Sequence, residues 1–187
     1  MNKQDIETQA AALMRDERYE EAYHLLLPLA DQGSAFVLMN LGWICEYGAI
    51  GEKDIDGAIS YYQCAASGGS SKAHFRLGAL LLDEGHLVQA RATFEAGAEL
   101  ENLGSMYELG TMLLKGQGGP ADEPKGMAWL ERAAAAGHFY AQRSLLDIEY
   151  RNSKSVLVKM WVMIKIGIMA LKFTKEYLKD KSSDRLT

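Results

Sequence analysis

Cysteine, proline and net positive charge are all in short supply. The 187 residues include two cysteines and three prolines. Two cysteines, Cys45 and Cys64, exclude a disulfide framework. Three prolines and no Ser- or Gln-rich tract exclude a disordered chain. Lys and Arg total 20 against 25 Asp and Glu, a formal charge of -5. That balance speaks against whole-chain nucleic-acid binding, which needs a basic surface to neutralise phosphates. The opening residues, Met1 to Glu7, hold no apolar run, so no secretory signal is expected. What the chain does have is a 48% hydrophobic content, enough for a sizeable core.

That content is periodic. The pairs Leu41-Gly42, Leu77-Gly78, Leu109-Gly110 and Leu145-Leu146 each lie 19 residues after a small anchor, at Ala22, Ala58, Ala90 and Gly126. Eight positions after each anchor stand Ala30, Ala66, Ala98 and Ala134, and four after it stand Leu26, Tyr62, Phe94 and Leu130. Eleven after it stand Gly33, Gly69, Glu101 and Gly137. The anchors are spaced by 36, 32 and 36 residues. The shorter step falls in the turn Asp83-Glu84-Gly85-His86, against longer turns at Tyr47–Asp54 and Lys115–Asp122. Turns absorb such changes because closure entropy grows slowly with length.

Each unit reads as two helices. Val37, Leu38, Leu41, Ile44 and Cys45 have helical spacing within Phe36–Tyr47, and Ala58, Ile59, Tyr62 and Ala65 within Ile55–Ala66. Gly33, Gly69 and Gly137 stand where left-handed helix caps are needed. The small residues of the alanine and glycine columns permit close helix approach. A hairpin with apolar faces on both sides is covered only by its neighbours, so the units are expected to stack into a solenoid. Leu41, Leu77 and Leu109 are expected in the core.

These residues resemble the Sel-like repeat family, a branch of the tetratricopeptide superfamily. Leu41 to Gly48, Lys53-Asp54, Gly57-Ala58, Tyr61-Tyr62 and Ala65-Ala66 carry the likeness. So do Leu109-Gly110, Lys125, Trp129, Ala133-Ala134, Gly137 and Ala141-Gln142. It covers residues 5–150. The units Gln9–Gly33 and Leu77–Glu101 look more like ordinary tetratricopeptide hairpins. The resemblance implies an all-α fold, a right-handed α-solenoid of antiparallel helix pairs, used for protein–protein contact. It implies no catalytic residue and no cofactor.

In this repeat class the first helix of each hairpin lines the concave face. One stripe on those helices contains Phe36, Met39, Trp43 and Glu46, then Lys72, Phe75, Ala79 and Leu82. It continues through Gly104, Tyr107, Thr111 and Leu114 to Tyr140, Arg143, Asp147 and Tyr150. The expected partner-binding set is Phe36, Met39, Trp43, Glu46, Phe75, Leu82, Tyr107, Leu114, Tyr140, Arg143 and Tyr150. A surface so apolar and aromatic marks a binding groove, unless the side chains pack on neighbouring helices or the chain's own C-terminus fills it.

After residue 152 the composition changes. Residues 1–150 hold 11 basic and 22 acidic side chains, and residues 151–187 hold 9 and 3. The chain therefore divides into a repeat solenoid, residues 1–152, and a basic apolar helix with a polar tail, residues 153–187. Val156–Phe173 is mostly apolar, and Lys165, Lys172 and Lys179 recur every seven residues. Three placements are open to this helix. It caps the solenoid or forms a homodimer through residues 155–178; it lies on an anionic membrane surface; or it spans a bilayer. Lys159 and Lys165 interrupt an 18-residue stretch and disfavour the span. Trp161, Lys165, Ile168, Lys172 and Lys179 are the expected membrane or dimer contacts.

No chemistry competes with these readings. The four histidines form no His-x-x-x-His pair, and Gln117-Gly118-Gly119-Pro120 lacks the Lys-Ser/Thr of a phosphate loop. Cys45 and Cys64 read as small, semi-buried hydrophobes kept as thiols. The expectation is a non-enzymatic, cytoplasmic adaptor without metal or cofactor that binds another protein and no nucleic acid. The alternatives are a scaffold held peripherally at the inner face of a membrane and an effector-neutralising, immunity-like binder.

Overall fold

The computed structural model describes residues 2–32 and 34–183, with side chains to residue 175 apart from that of Gln32. Gly33 lies outside the described residues, as does the side chain of Lys179. Among the described residues there are ten α-helices and no strand. They are α1 (Lys3–Arg15), α2 (Tyr19–Leu26), α3 (Ala35–Tyr47), α4 (Ile55–Ser67), α5 (Ser71–Asp83), α6 (Leu87–Glu99), α7 (Leu103–Lys115), α8 (Glu123–Ala135), α9 (Phe139–Asn152) and α10 (Val156–Ser183). A 3-10 segment, Leu27–Gln32, extends α2.

Polar caps set where the helices start. The side chains of Asp54, Ser70, Asn102 and Asp122 each accept a hydrogen bond from the backbone N–H three residues on. This satisfies donors that a helix N-terminus leaves unpaired. Left-handed residues end them. Gly69 and Gly137 have φ of 83° and 93°, as their column predicts. Glu101 fills the same place in the third unit with φ of 59° and without a glycine's freedom.

Helices pair as α3/α4, α5/α6 and α7/α8, and each pair packs on the next. Leu41, Leu77 and Leu109 are buried, as expected. The glycine and large-residue columns meet each other. The ring of Tyr62 lies against Gly42, Phe94 against Gly78 and Leu130 against Gly110. A large residue of each second helix thus fills the notch that a missing side chain leaves on the first. One apolar core runs from α4 to α9, and a smaller cluster of Ala10, Leu26, Leu29, Val37 and Leu41 joins the first two hairpins.

The C-terminal segment makes a fifth hairpin, although Leu145-Leu146 lacks the glycine of the other pairs. After the short link Ser153–Ser155, α10 turns back along α9. Phe139 meets Phe173 at 4.5 Å between centroids, and Lys165 Nζ sits 3.6 Å from Glu149 Oε2. Lys159 Nζ lies 5.1 Å from the Tyr150 ring centroid. These pairs run in opposite chain directions, so α9 and α10 are antiparallel. No described helix is long and apolar enough to cross a membrane.

Candidate interaction groove and terminal helix

The stripe on the first helices divides into side chains that are spent inside the protein and side chains left over. Met39, Phe75, Leu82, Tyr107 and Leu114 all pack against the main core while staying partly exposed. Phe36 packs on the N-terminal cluster. Phe75 on α5 reaches across to α7, where its ring occupies the space beside Gly104. Glu46 accepts a 2.7 Å hydrogen bond from the Tyr62 hydroxyl. Burial and then this bond push the Tyr62 phenol far above its ordinary pKa. Arg143 pairs with Asp147 one turn away, Oδ2 at 3.1 Å from Nε.

Two aromatic groups remain on this surface. At one end Trp43 is flanked by Tyr19 (5.2 Å between centroids) and Tyr47 (4.9 Å, stacked). At the other, Tyr107, His138 and Tyr140 lie mutually within 5.0–6.2 Å. Tyr140 is 60% exposed and Tyr47 50%. The stripe residues of α3 and of α7/α9 therefore gather into separate clusters, with Phe75 between them. Sequence columns did not mark Tyr19, Tyr47 or His138, because none belongs to the stripe; each joins a cluster through the tertiary fold. Glu108, beside Tyr107 on α7, is held by burial above the usual carboxylate range. His138 is held below its ordinary value by burial, and its Nδ1 accepts from the Ala141 N–H at 3.3 Å.

Tyr150 and the expected contacts of the last helix gather around α10. Trp161, Lys165, Ile168 and Lys172 line a groove of about 550 Å³ against Gln142, Leu145 and Glu149 of α9. Lys165 is turned toward Glu149 and Lys159 toward Tyr150, so both face the solenoid. Val162 is the one buried side chain described in α10. On the far side Leu157 and Leu171 are 77% and 73% exposed, with Met160 and Ile164 also open.

Neither cysteine is paired. Cys45 is half-buried, whereas Cys64 is exposed on α4, so its expected semi-burial is not found. The Gly118-Gly119 turn packs on α6, with Arg91 Nη1 donating to the Pro120 carbonyl at 3.0 Å. Among the described residues no group of three or more His, Cys, Asp or Glu could hold a metal ion.

The repeat columns and their packing agree with the family comparison, in which the Sel1 repeat matches residues 12–34, 35–70 and 104–138. The chain belongs to the Sel1 repeat family. The first unit, closer by its columns to an ordinary tetratricopeptide hairpin, is thus matched as a Sel1 repeat; residues 71–103 are not. A Sel1 repeat protein from Oxalobacter formigenes has a similar crystal structure, with a TM-score of 0.69 and 24% identity. The match covers 81% of this chain and 64% of that one, so this Sel1 repeat chain spans under two thirds of its neighbour's length. A protective antigen of uropathogenic Escherichia coli strains displaying an SLR fold matches at TM-score 0.49 and 26% identity, over 70% of this chain and 36% of its own. No curated protein matches the chain. Sel1 repeat proteins are in general non-enzymatic scaffolds for protein–protein interaction.

Proposed function

We propose that this Sel1 repeat chain is an adaptor that holds a segment of another protein along the stripe from Trp43 to Tyr140. The observation that carries this reading is the pair of aromatic clusters at its two ends. Tyr47 and Tyr140 stay open to solvent although neighbouring stripe residues pack inward. Rigid aromatic side chains give large contact area at low entropy cost, which is why they anchor interfaces. The half-buried Phe75 supplies an apolar floor between them. The partner is held and not turned over.

The test compares proteins captured by the wild type and by Trp43→Ala/Tyr107→Ala, with circular dichroism confirming that the variant folds. A photo-crosslinking residue replacing Tyr140 identifies what lies in the groove. Loss of one captured protein from the double variant, and its cross-linking at position 140, is the expected result. An unchanged set of captured proteins would remove the groove from the function.

A further inference from the structure

One face of α10 is written in heptads. Leu157, Trp161, Ile164, Ile168, Leu171 and Lys175 follow one another at steps of 4, 3, 4, 3 and 4 residues. That alternation places them on one seam of an α-helix, as the a and d positions of a coiled coil. The four positions before Leu171 and Leu171 itself are about half-exposed or more. The buried Val162 and Phe173, which meets Phe139 of α9, stand at a b and an f position, turned away from the d positions. Docking onto α9 leaves the d positions Leu157, Ile164 and Leu171 open, while Trp161 and Ile168, at the a positions, border the groove beside α9 and stay about half-exposed.

We infer that the occupant of this seam is α10 of a second copy of the chain, paired as a parallel two-stranded coiled coil. Three observations select that occupant. The first is area. Leu157, Met160, Trp161, Ile164, Ile168 and Leu171, at roughly 110 Å² apiece given about 200 Å² for a large apolar side chain, offer at most about 660 Å² per chain. A pair would bury up to about 1,300 Å², at the lower end of the range of roughly 1,200–2,000 Å² for stable interfaces. The second is charge. Lys165 and Lys172, with Lys179 in the same column, occupy successive e positions, while the g positions hold Met160, Gly167 and Thr174. Parallel pairing sets each e-position lysine against an uncharged g residue and leaves one like-charge pair, Lys175 with its copy; antiparallel pairing sets the e-position lysines against one another. A lysine at one a position, Lys175, favours two strands over higher orders.

The third observation separates a second copy from a lipid surface. Lys159 and Lys165 are turned onto Tyr150 and Glu149 and not outward. Residues 1–150 carry twice as many acidic as basic side chains, 22 to 11. Anionic headgroups would repel that body, whereas a symmetric pair keeps the two solenoids on opposite sides of the seam.

Sedimentation of the full chain at micromolar concentration tests this, beside Ile164→Glu/Ile168→Glu on the seam and Met163→Glu, equally apolar and exposed but off it. The wild type and Met163→Glu should be dimers. The seam variant should dissociate roughly 100-fold or more readily, since two charges replace two buried aliphatic side chains. L171C in a Cys45→Ser/Cys64→Ser background should form a covalent dimer on oxidation, because parallel strands bring identical d positions together. Should the seam variant lose helicity, this cross-link decides alone. A monomeric wild type, a dimer indifferent to the seam variant, or a monomer that floats with phosphatidylglycerol vesicles through Trp161 would each overturn the inference.

Discussion

The Tyr62 hydroxyl donates to Glu46 at 2.7 Å, and the ring that carries it covers Gly42, one turn earlier on the same helix as Glu46. The two contacts fix α4 on α3 at two heights. A Cβ at position 42 would stand 2.6 Å from Tyr62 Cε1, closer than packed carbons allow. Because Tyr62 is fully buried, its ring has no free space to move into. Gly42→Ala should therefore cost about 1–3 kcal/mol. In a chain of this size that lowers the melting temperature by about 3–10 °C. Tyr62→Phe keeps the ring and loses only the hydrogen bond, so it should cost about 1 kcal/mol. A Gly42→Ala melt indistinguishable from the wild type would mean that the notch does not set the hairpin's geometry.

Glu101 stands in the column that holds Gly69 and Gly137, with φ of 59°. A side chain there crowds the following carbonyl at a cost of roughly 1–2 kcal/mol. Its backbone N–H still donates to the Ala98 carbonyl at 3.0 Å, so glycine would keep the turn and shed the strain. Some of the gain returns to the unfolded chain as entropy. Glu101→Gly should stabilise by about 0.5–1 kcal/mol, read from chemical denaturation. Gly69→Ala should move stability the other way. A destabilised Glu101→Gly would show that the side chain makes a compensating contact.

The fold was legible because a solenoid repeats its own evidence. Leu41, Leu77 and Leu109 announce one buried column, and Gly69 and Gly137 announce one kind of cap. The fit of Tyr62, Phe94 and Leu130 into the glycine notches lay in the same columns, but the partners are 16 to 20 residues apart and meet only across the hairpin. The candidate groove was less legible. A stripe drawn at fixed offsets treats Glu46 and Trp43 alike, yet Glu46 is bonded to Tyr62 and Trp43 is stacked on Tyr47 and flanked by Tyr19. The offsets also pass over His138, which enters its cluster as the residue that caps α9. For α10 the lysine spacing was plain, but the side chosen by Val162 depends on α9 and is written in no single helix.

His138 makes the cluster pH-sensitive. Its Nδ1 accepts from the Ala141 N–H, which only the neutral ring can do. Burial depresses its pKa in the folded chain. A depressed folded pKa means that the unfolded state takes up the proton more readily. The stability contributed by the neutral ring is therefore full above the unfolded value of about 6.5 and is lost as pH falls below it. Between about pH 7.5 and 5.5 the amides at the start of α9 should lose hydrogen-exchange protection. His138→Asn, a capping side chain that does not titrate, should flatten the dependence over that window. Equal loss in both proteins would assign the effect to another group.

Val162 decides whether α10 belongs to the solenoid. It is fully buried, and the contacts that join α10 to α9 around it are Phe139 with Phe173, Lys159 over the Tyr150 ring and the half-exposed pair Glu149–Lys165. Burial of one such aliphatic side chain stabilises by roughly 2 kcal/mol, while an unpaired charge in its place costs several. Exposed ion pairs contribute too little to offset that loss. Val162→Asp should therefore release α10 while α1 to α9 stay folded, because α10 packs chiefly on α9 and the repeat core runs through the other helices. Trypsin should then cut rapidly after Arg151, at the end of α9, and after Lys154, within the link, and leave a stable fragment carrying the repeats. Val162→Ala, which loses packing without adding charge, should give intermediate cleavage. If Val162→Asp is cut no faster than the wild type, the hold of α9 on α10 does not pass through this residue, and its burial is not what keeps Leu157, Ile164 and Leu171 facing outward.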